Sequence, residues 1–134
     1  MGINTIGSDV QAAWVAYLKA QTNLTSLLAN NGQIKESQWQ GDEFSYPAVR
    51  ISVDFYPSVN GCIPRATIFI SVFSEEKTSK QASTIAGVIQ RLVHRKPFTS
   101  VGVTSFMVLV EEVLHPDRSI FAWQSQVKVK TLIA

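Results

Sequence analysis

The sequence predicts an α+β fold: a mostly antiparallel four- to five-stranded sheet with two helices packed on one face. Three observations lead there. Two stretches repeat apolar residues at three- and four-residue spacing, as one face of a helix requires. Several others alternate apolar and polar residues, as half-buried strands do. The order runs helix, strands, helix, strands, with turn chemistry between the runs. The 134 residues, 46% hydrophobic and 16% charged, suit one domain over 1–134 with a full core.

The first helix is expected to start near Ser8, where Ser8-Asp9-Val10-Gln11 matches a capping box. Val10, Ala13, Trp14, Tyr17 and Leu18 form its stripe, and a further short helical turn would carry Leu24, Leu27 and Leu28 before Asn30-Asn31-Gly32 stops it. Gln33 to Trp39 suits a short edge strand, followed by a loop at Gln40-Gly41-Asp42-Glu43. Pro47 to Tyr56 alternates, with Val49, Ile51, Val53 and Phe55 on one side and Arg50, Ser52, Asp54 and Tyr56 on the other. After a loop holding Asn60-Gly61, Arg65 to Ser74 forms the next strand and completes a hairpin.

The second helix opens on Thr78-Ser79-Lys80-Gln81, another capping-box pattern. Its stripe is Ala82, Ile85, Ala86, Ile89, Leu92 and Val93, and Pro97 blocks its continuation. Gly87, alone inside that stripe, suggests close packing. Val103 to Leu114 reads as a long apolar strand, His115-Pro116-Asp117-Arg118 as a turn, and Ser119 to about Ile133 as the last strand, making a second hairpin. A strand this long would outrun a small sheet.

The chemistry-bearing residues do not combine into a catalytic or metal site, so the chain is expected not to be an enzyme and to need no cofactor. Its two histidines, His94 and His115, belong to no spaced pair. They read as a charge at a helix C-terminus and a solvated turn residue. The single cysteine, Cys62, excludes a disulfide within the chain and lacks a local nucleophile signature. Glu111 and Glu112 are adjacent on a strand and should point to opposite faces, which suits edge protection or subunit contact better than paired acid–base work. Trp14, Trp39 and Trp123 read as core or interface anchors. No apolar run approaches the ~20 residues that cross a bilayer, so no membrane is expected. The start, Met1-Gly2-Ile3-Asn4-Thr5, lacks the pattern of a secretion signal.

The formal net charge is +2. Arg91 and Arg95, with His94 and Lys96, gather at the end of the second helix. Lys128 and Lys130 lie on the polar side of the last strand. Solvated faces account for both groups, and the functional alternative is a channel offering scattered positive charge to passing DNA, through phosphates and without sequence preference.

The whole order resembles the phage tail-terminator and tail-completion family. The likeness rests on the N-terminal helix, a segment ending near Trp39, and Tyr46-Pro47-Ala48-Val49 leading into the second strand. It continues through a crossover helix at Ser79–Arg95, the strand start at Gly102-Val103 and the long closing hairpin. Gln124, Gln126, Lys128 and Lys130 depart from the arginine-rich last strand of that family. The resemblance implies a homo-hexameric ring in the virion tail neck, assembled in the host cytoplasm. That ring would end tube growth at the head-proximal end and meet the tail tube protein and a head-side neck or connector protein. A head-tail joining subunit (stopper or connector) is the neighbouring alternative, and a small non-specific nucleic-acid-binding module a more distant one. A cyclic ring needs two different patches per subunit. The expected contributors are Val59, Cys62 and Ile63 from the loop, and Glu111 and Glu112 from the last hairpin.

Overall fold

A computed structural model describes residues 7–28, 34–36, 46–56, 63–118 and 123–134. The chain order is α1 (Gly7–Lys19), α2 (Thr22–Thr25), β1 (Ile34–Glu36), β2 (Ala48–Tyr56), β3 (Arg65–Ser74), α3 (Lys80–Val93), β4 (Phe98–Ser100), β5 (Val103–Arg118) and β6 (Trp123–Ile133). The strands form one sheet in the order β1-β2-β3-β6-β5-β4. β1 runs parallel to β2, and every other pairing is antiparallel.

The α+β class and the mostly antiparallel sheet stand, but the element count is corrected to six strands and three helices among the described residues. The unexpected strand is short: β4 has three residues, too few for a period to register. The short helical turn expected to carry Leu24 forms as α2, a single turn of four residues. Both expected hairpins form, β2 with β3 and β5 with β6. β6 inserts between β3 and β5 and pairs with β3 from Trp123↔Ser74 to Leu132↔Arg65. The closing hairpin therefore stays on the sheet instead of outrunning it. β5 fits its extra length by register shifts between Phe106 and Leu109, Val110 and Glu112, and Leu114 and Asp117. The turn expected at His115–Arg118 lies within β5. Pro116 falls in the last of those irregular steps, where a missing ladder donor costs least.

One core lies on the helix side of the sheet. Val10, Trp14 and Leu18 of α1 and Ala82, Ile85, Ala86, Ile89 and Val93 of α3 pack on Ile51, Ile68, Ile70, Val127 and Val129. The sheet curls around α1, which touches β1 and β2 near one edge and β4 and β5 at the other. Three side chains on successive turns hold the curl. Gln11 Nε2 donates to the Ile51 carbonyl at 2.5 Å. Trp14 Nε1 donates to Ser105 Oγ at 3.1 Å. The Tyr17 ring stacks on Phe98 with centroids 3.8 Å apart, and its hydroxyl donates to the Leu92 carbonyl at 3.1 Å.

The expected capping boxes do not form in full. α1 begins at Gly7, one residue before Ser8, and Gln11 is buried against β2. At α3 only the hydroxyl half of the box forms: Thr78 Oγ1 accepts from the Lys80 amide at 3.4 Å, while Gln81 Oε1 accepts from Ser74 Oγ. The close packing expected at Gly87 is also absent: an added Cβ would meet nothing within 4 Å.

The β4–β5 turn is a two-residue loop, Val101-Gly102, closed by the Ser100↔Val103 pair. Both residues have positive φ, 50° and 77°. That geometry matches the twist of a hairpin and suits Asn-Gly, whereas a β-branched residue is strained there. Val101 is also exposed. Val101→Asn is expected to raise stability by about 1 kcal/mol, seen as a higher urea midpoint at unchanged slope.

Candidate functional site

The outer face of the sheet, opposite the helices, is the surface the fold leaves open. Alternation sends Ile68, Ile70, Val127 and Val129 inward and turns their neighbours outward. Register then builds cross-strand rows: Tyr56–Arg65–Leu132, Asp54–Thr67–Lys130 and Ser52–Phe69–Lys128. β5 completes these rows with Phe106 beside Leu132, Leu109 beside Lys130 and Glu112 beside Lys128.

A shallow groove of about 400 Å³ opens at one end of this face. Leu109, Leu132 and Met107 supply apolar walls, with Tyr56, Arg65 and Lys130 around them. Met107 has φ 49° inside the first register shift of β5, and its side chain is 65% exposed. The Arg65 guanidinium lies 5.2 Å from the Tyr56 ring centroid, within cation–π range. Arg65 makes no ion pair among the described residues.

Beside the groove, Glu111 is the extra residue of the second bulge. Its carboxylate meets Lys130 Nζ at 2.8 Å and Lys128 Nζ at 3.1 Å. The expectation that Glu111 and Glu112 face opposite ways is therefore corrected. The bulge breaks the alternation, so Glu111 reaches the two lysines although Glu112 is the register partner of Lys128. Hydrogen bonds from Lys130 and then Lys128 hold the Glu111 carboxyl below its ordinary range. A depressed carboxylate supports the fold above its unfolded pKa, and that support is lost as pH falls through the folded value. Glu111→Gln should thus be slightly less stable than wild type at pH 7, with the difference vanishing in acid and in high salt. Urea midpoints at stepped pH check both trends.

The open edge of β5 is managed unevenly. β4 pairs only with Val103–Ser105. Next, the Arg95 amide donates to the Val108 carbonyl at 2.7 Å, and His94 Nδ1 accepts from the Val110 amide at 3.0 Å. His94, expected as a helix-end charge, instead covers a strand edge through an accepting Nδ1. Beyond it come Glu111, Glu112, Val113 and Leu114, all exposed.

This architecture has solved counterparts. A chain of the virion of a native gene transfer agent particle superposes with a TM-score of 0.77 at 12% identity, covering 97% of this chain and 98% of that one. The fold is shared with a virion chain. A second solved chain, of no stated function, gives a TM-score of 0.66 at 12% identity over 98% and 97% of the two chains. No family model matches the sequence, and no curated protein does.

On this fold the four basic residues expected to face DNA separate. Arg91 is exposed on α3, and Arg95 follows its end. Lys128 and Lys130 stand on the opposite face of the sheet, bound to Glu111. Of the expected interface residues, Val59 and Cys62 lie outside the described residues. Ile63 is 56% exposed and precedes Pro64, whose carbonyl accepts from Ile133 at the groove end of β6. Trp14 belongs to the core, Trp123 is half-buried against it, and Trp39 lies outside the described residues. Tyr56, Arg65, Met107, Leu109 and Leu132 were not singled out by sequence reasoning. The outward row was legible as alternation, but the groove depends on the bulge at Met107. Among the described residues no three His, Cys, Asp or Glu side chains gather as a metal site, and no helix is long and apolar enough to cross a membrane.

Proposed function

We propose that the chain is a structural virion protein that forms a ring at the head-proximal end of a phage tail tube. There it ends tube polymerisation and joins the tail to the head-side neck. The end-to-end fold likeness to a chain of a gene transfer agent virion, at a TM-score of 0.77, carries this reading. The sequence-order resemblance to tail terminators supports it independently.

The surface suits assembly. A closed ring is built from two unlike patches meeting head to tail, and the groove and the uncovered half of β5 are two such patches. The action is steric, so the protein is not an enzyme and uses no cofactor. Its partners are copies of itself, the tail tube protein and a head-side neck protein. Passing DNA is touched at its phosphates at most, by cations such as Arg91 and Arg95. The ring sits in the tail neck of the virion and assembles in the host cytoplasm.

Native mass measurement tests the reading. The expected species has six times the 14.8 kDa chain mass, alone at high concentration or on added tail tubes. A chain that stays monomeric under both conditions would remove the ring.

A further inference from the structure

We propose that the groove beside Met107 receives the Glu112–Leu114 segment of a second copy of this chain. The inference rests on the ring reading and names the two surfaces that meet.

The groove looks costly for a free surface. Met107 takes a left-handed backbone conformation, φ 49°, that disfavours any residue other than glycine. The result is a large apolar side chain 65% exposed to solvent, next to Leu109 at 44%. The bulge seats Val108 in the core but leaves Met107 outside it, and a strained residue that holds its own apolar side chain in solvent points to a contact made elsewhere. Arg65 adds a cation held over Tyr56 without a carboxylate partner among the described residues. Lys130, the other cation of the groove, is already matched by Glu111. A fitting occupant therefore brings apolar side chains and one carboxylate.

The chain presents that combination farther along β5. Val113 and Leu114 are exposed, the latter 46%. Glu112 beside them makes no ion pair among the described residues. This stretch lies past the cover that His94 and Arg95 give to the strand edge. Glu112 can meet Arg65, while Leu114, which the register places on the same face as Glu112, lies against Met107, Leu109 and Leu132. Donor and acceptor patches use different residues, so each copy can offer one to each neighbour, as cyclic closure requires.

Charge exchange tests the contact. Arg65→Glu, Glu112→Arg and the double variant would be followed by sedimentation velocity and native mass across a concentration series, with circular dichroism confirming the fold. Each single variant should raise the concentration for half-assembly about tenfold or more, because it sets like charges against each other. The double variant should recover, and so should an equimolar mixture of the two singles, in which every unlike neighbour pair is complementary. If wild type assembles and the singles assemble equally well, the contact is wrong and the ring stands on other surfaces. Singles that fail without recovery in the double or the mixture also overturn the contact. A wild type that never assembles, at high concentration or on added tail tubes, overturns both readings. Recovery in a species of only two chains upholds the contact and removes the six-membered ring.

Discussion

Replacing Trp14 with alanine is expected to cost about 3–5 kcal/mol of stability. The indole is fully buried. It packs edge-on against Phe98 with centroids 5.0 Å apart and against Tyr17 at 6.5 Å. Its N–H donates to Ser105 Oγ, and Ser105 is itself fully buried. Alanine would therefore leave a cavity and a buried hydroxyl without that donor. Domains of this size hold only about 5–15 kcal/mol in reserve, so the variant would sit near the margin. Urea unfolding measures the loss. The slope carries separate information: if β4 and β5 come away from α1 before the rest unfolds, the transition broadens and its apparent slope falls. Trp14→Phe keeps most of the packing and should lose about 1–2 kcal/mol. A loss below 1 kcal/mol for the alanine variant would mean that Trp14 does not hold the curled sheet together.

Such a residue shows how far the sequence can be read. Trp14 falls on the α1 stripe by spacing alone, so its burial was legible. Its partner was not, because Ser105 lies 91 positions away and no local pattern records the curl that brings them together. The same divide runs through the other elements. β2, β3, β6 and α3 carry enough periods to declare themselves, β1 and α2 were legible only as a short edge strand and a single helical turn, and β4 is too short to register. Gln81 sits where a capping box would use it, and a tertiary hydrogen bond with Ser74 takes it instead, while Gln11 Nε2 reaches across to the Ile51 carbonyl. In the candidate site, alternation announced the outward lysines, but a strand with bulges does not keep its period. The turning of Glu111 onto Lys128 and Lys130, and of Met107 into solvent, followed from register shifts set by the pairing with β6.

Arg95 offers the second large effect, and its two substitutions should act in opposite directions. The residue has φ 59° and donates its amide to the Val108 carbonyl at 2.7 Å. Proline can supply neither the angle nor the donor, so Arg95→Pro is expected to cost about 3 kcal/mol or more. It should also loosen the neighbouring bond from the Val110 amide to His94 Nδ1, exposing more of the β5 edge to unwanted pairing. Arg95→Gly keeps the donor and accepts the left-handed angle without strain. It should therefore stabilise the fold by about 1 kcal/mol. Both variants delete the same charge, which separates the two roles open to Arg95. A phosphate contact predicts equal weakening of duplex binding, with a salt slope reduced by about 1 in each. Edge cover predicts divergence: the Val110 amide should exchange with solvent faster in the proline variant and no faster in the glycine variant. Equal stabilities for the two would sink the edge-cover role. Divergent stabilities with unchanged DNA binding would assign Arg95 to guarding the strand whose next residues, Glu112 to Leu114, are left open for a neighbour.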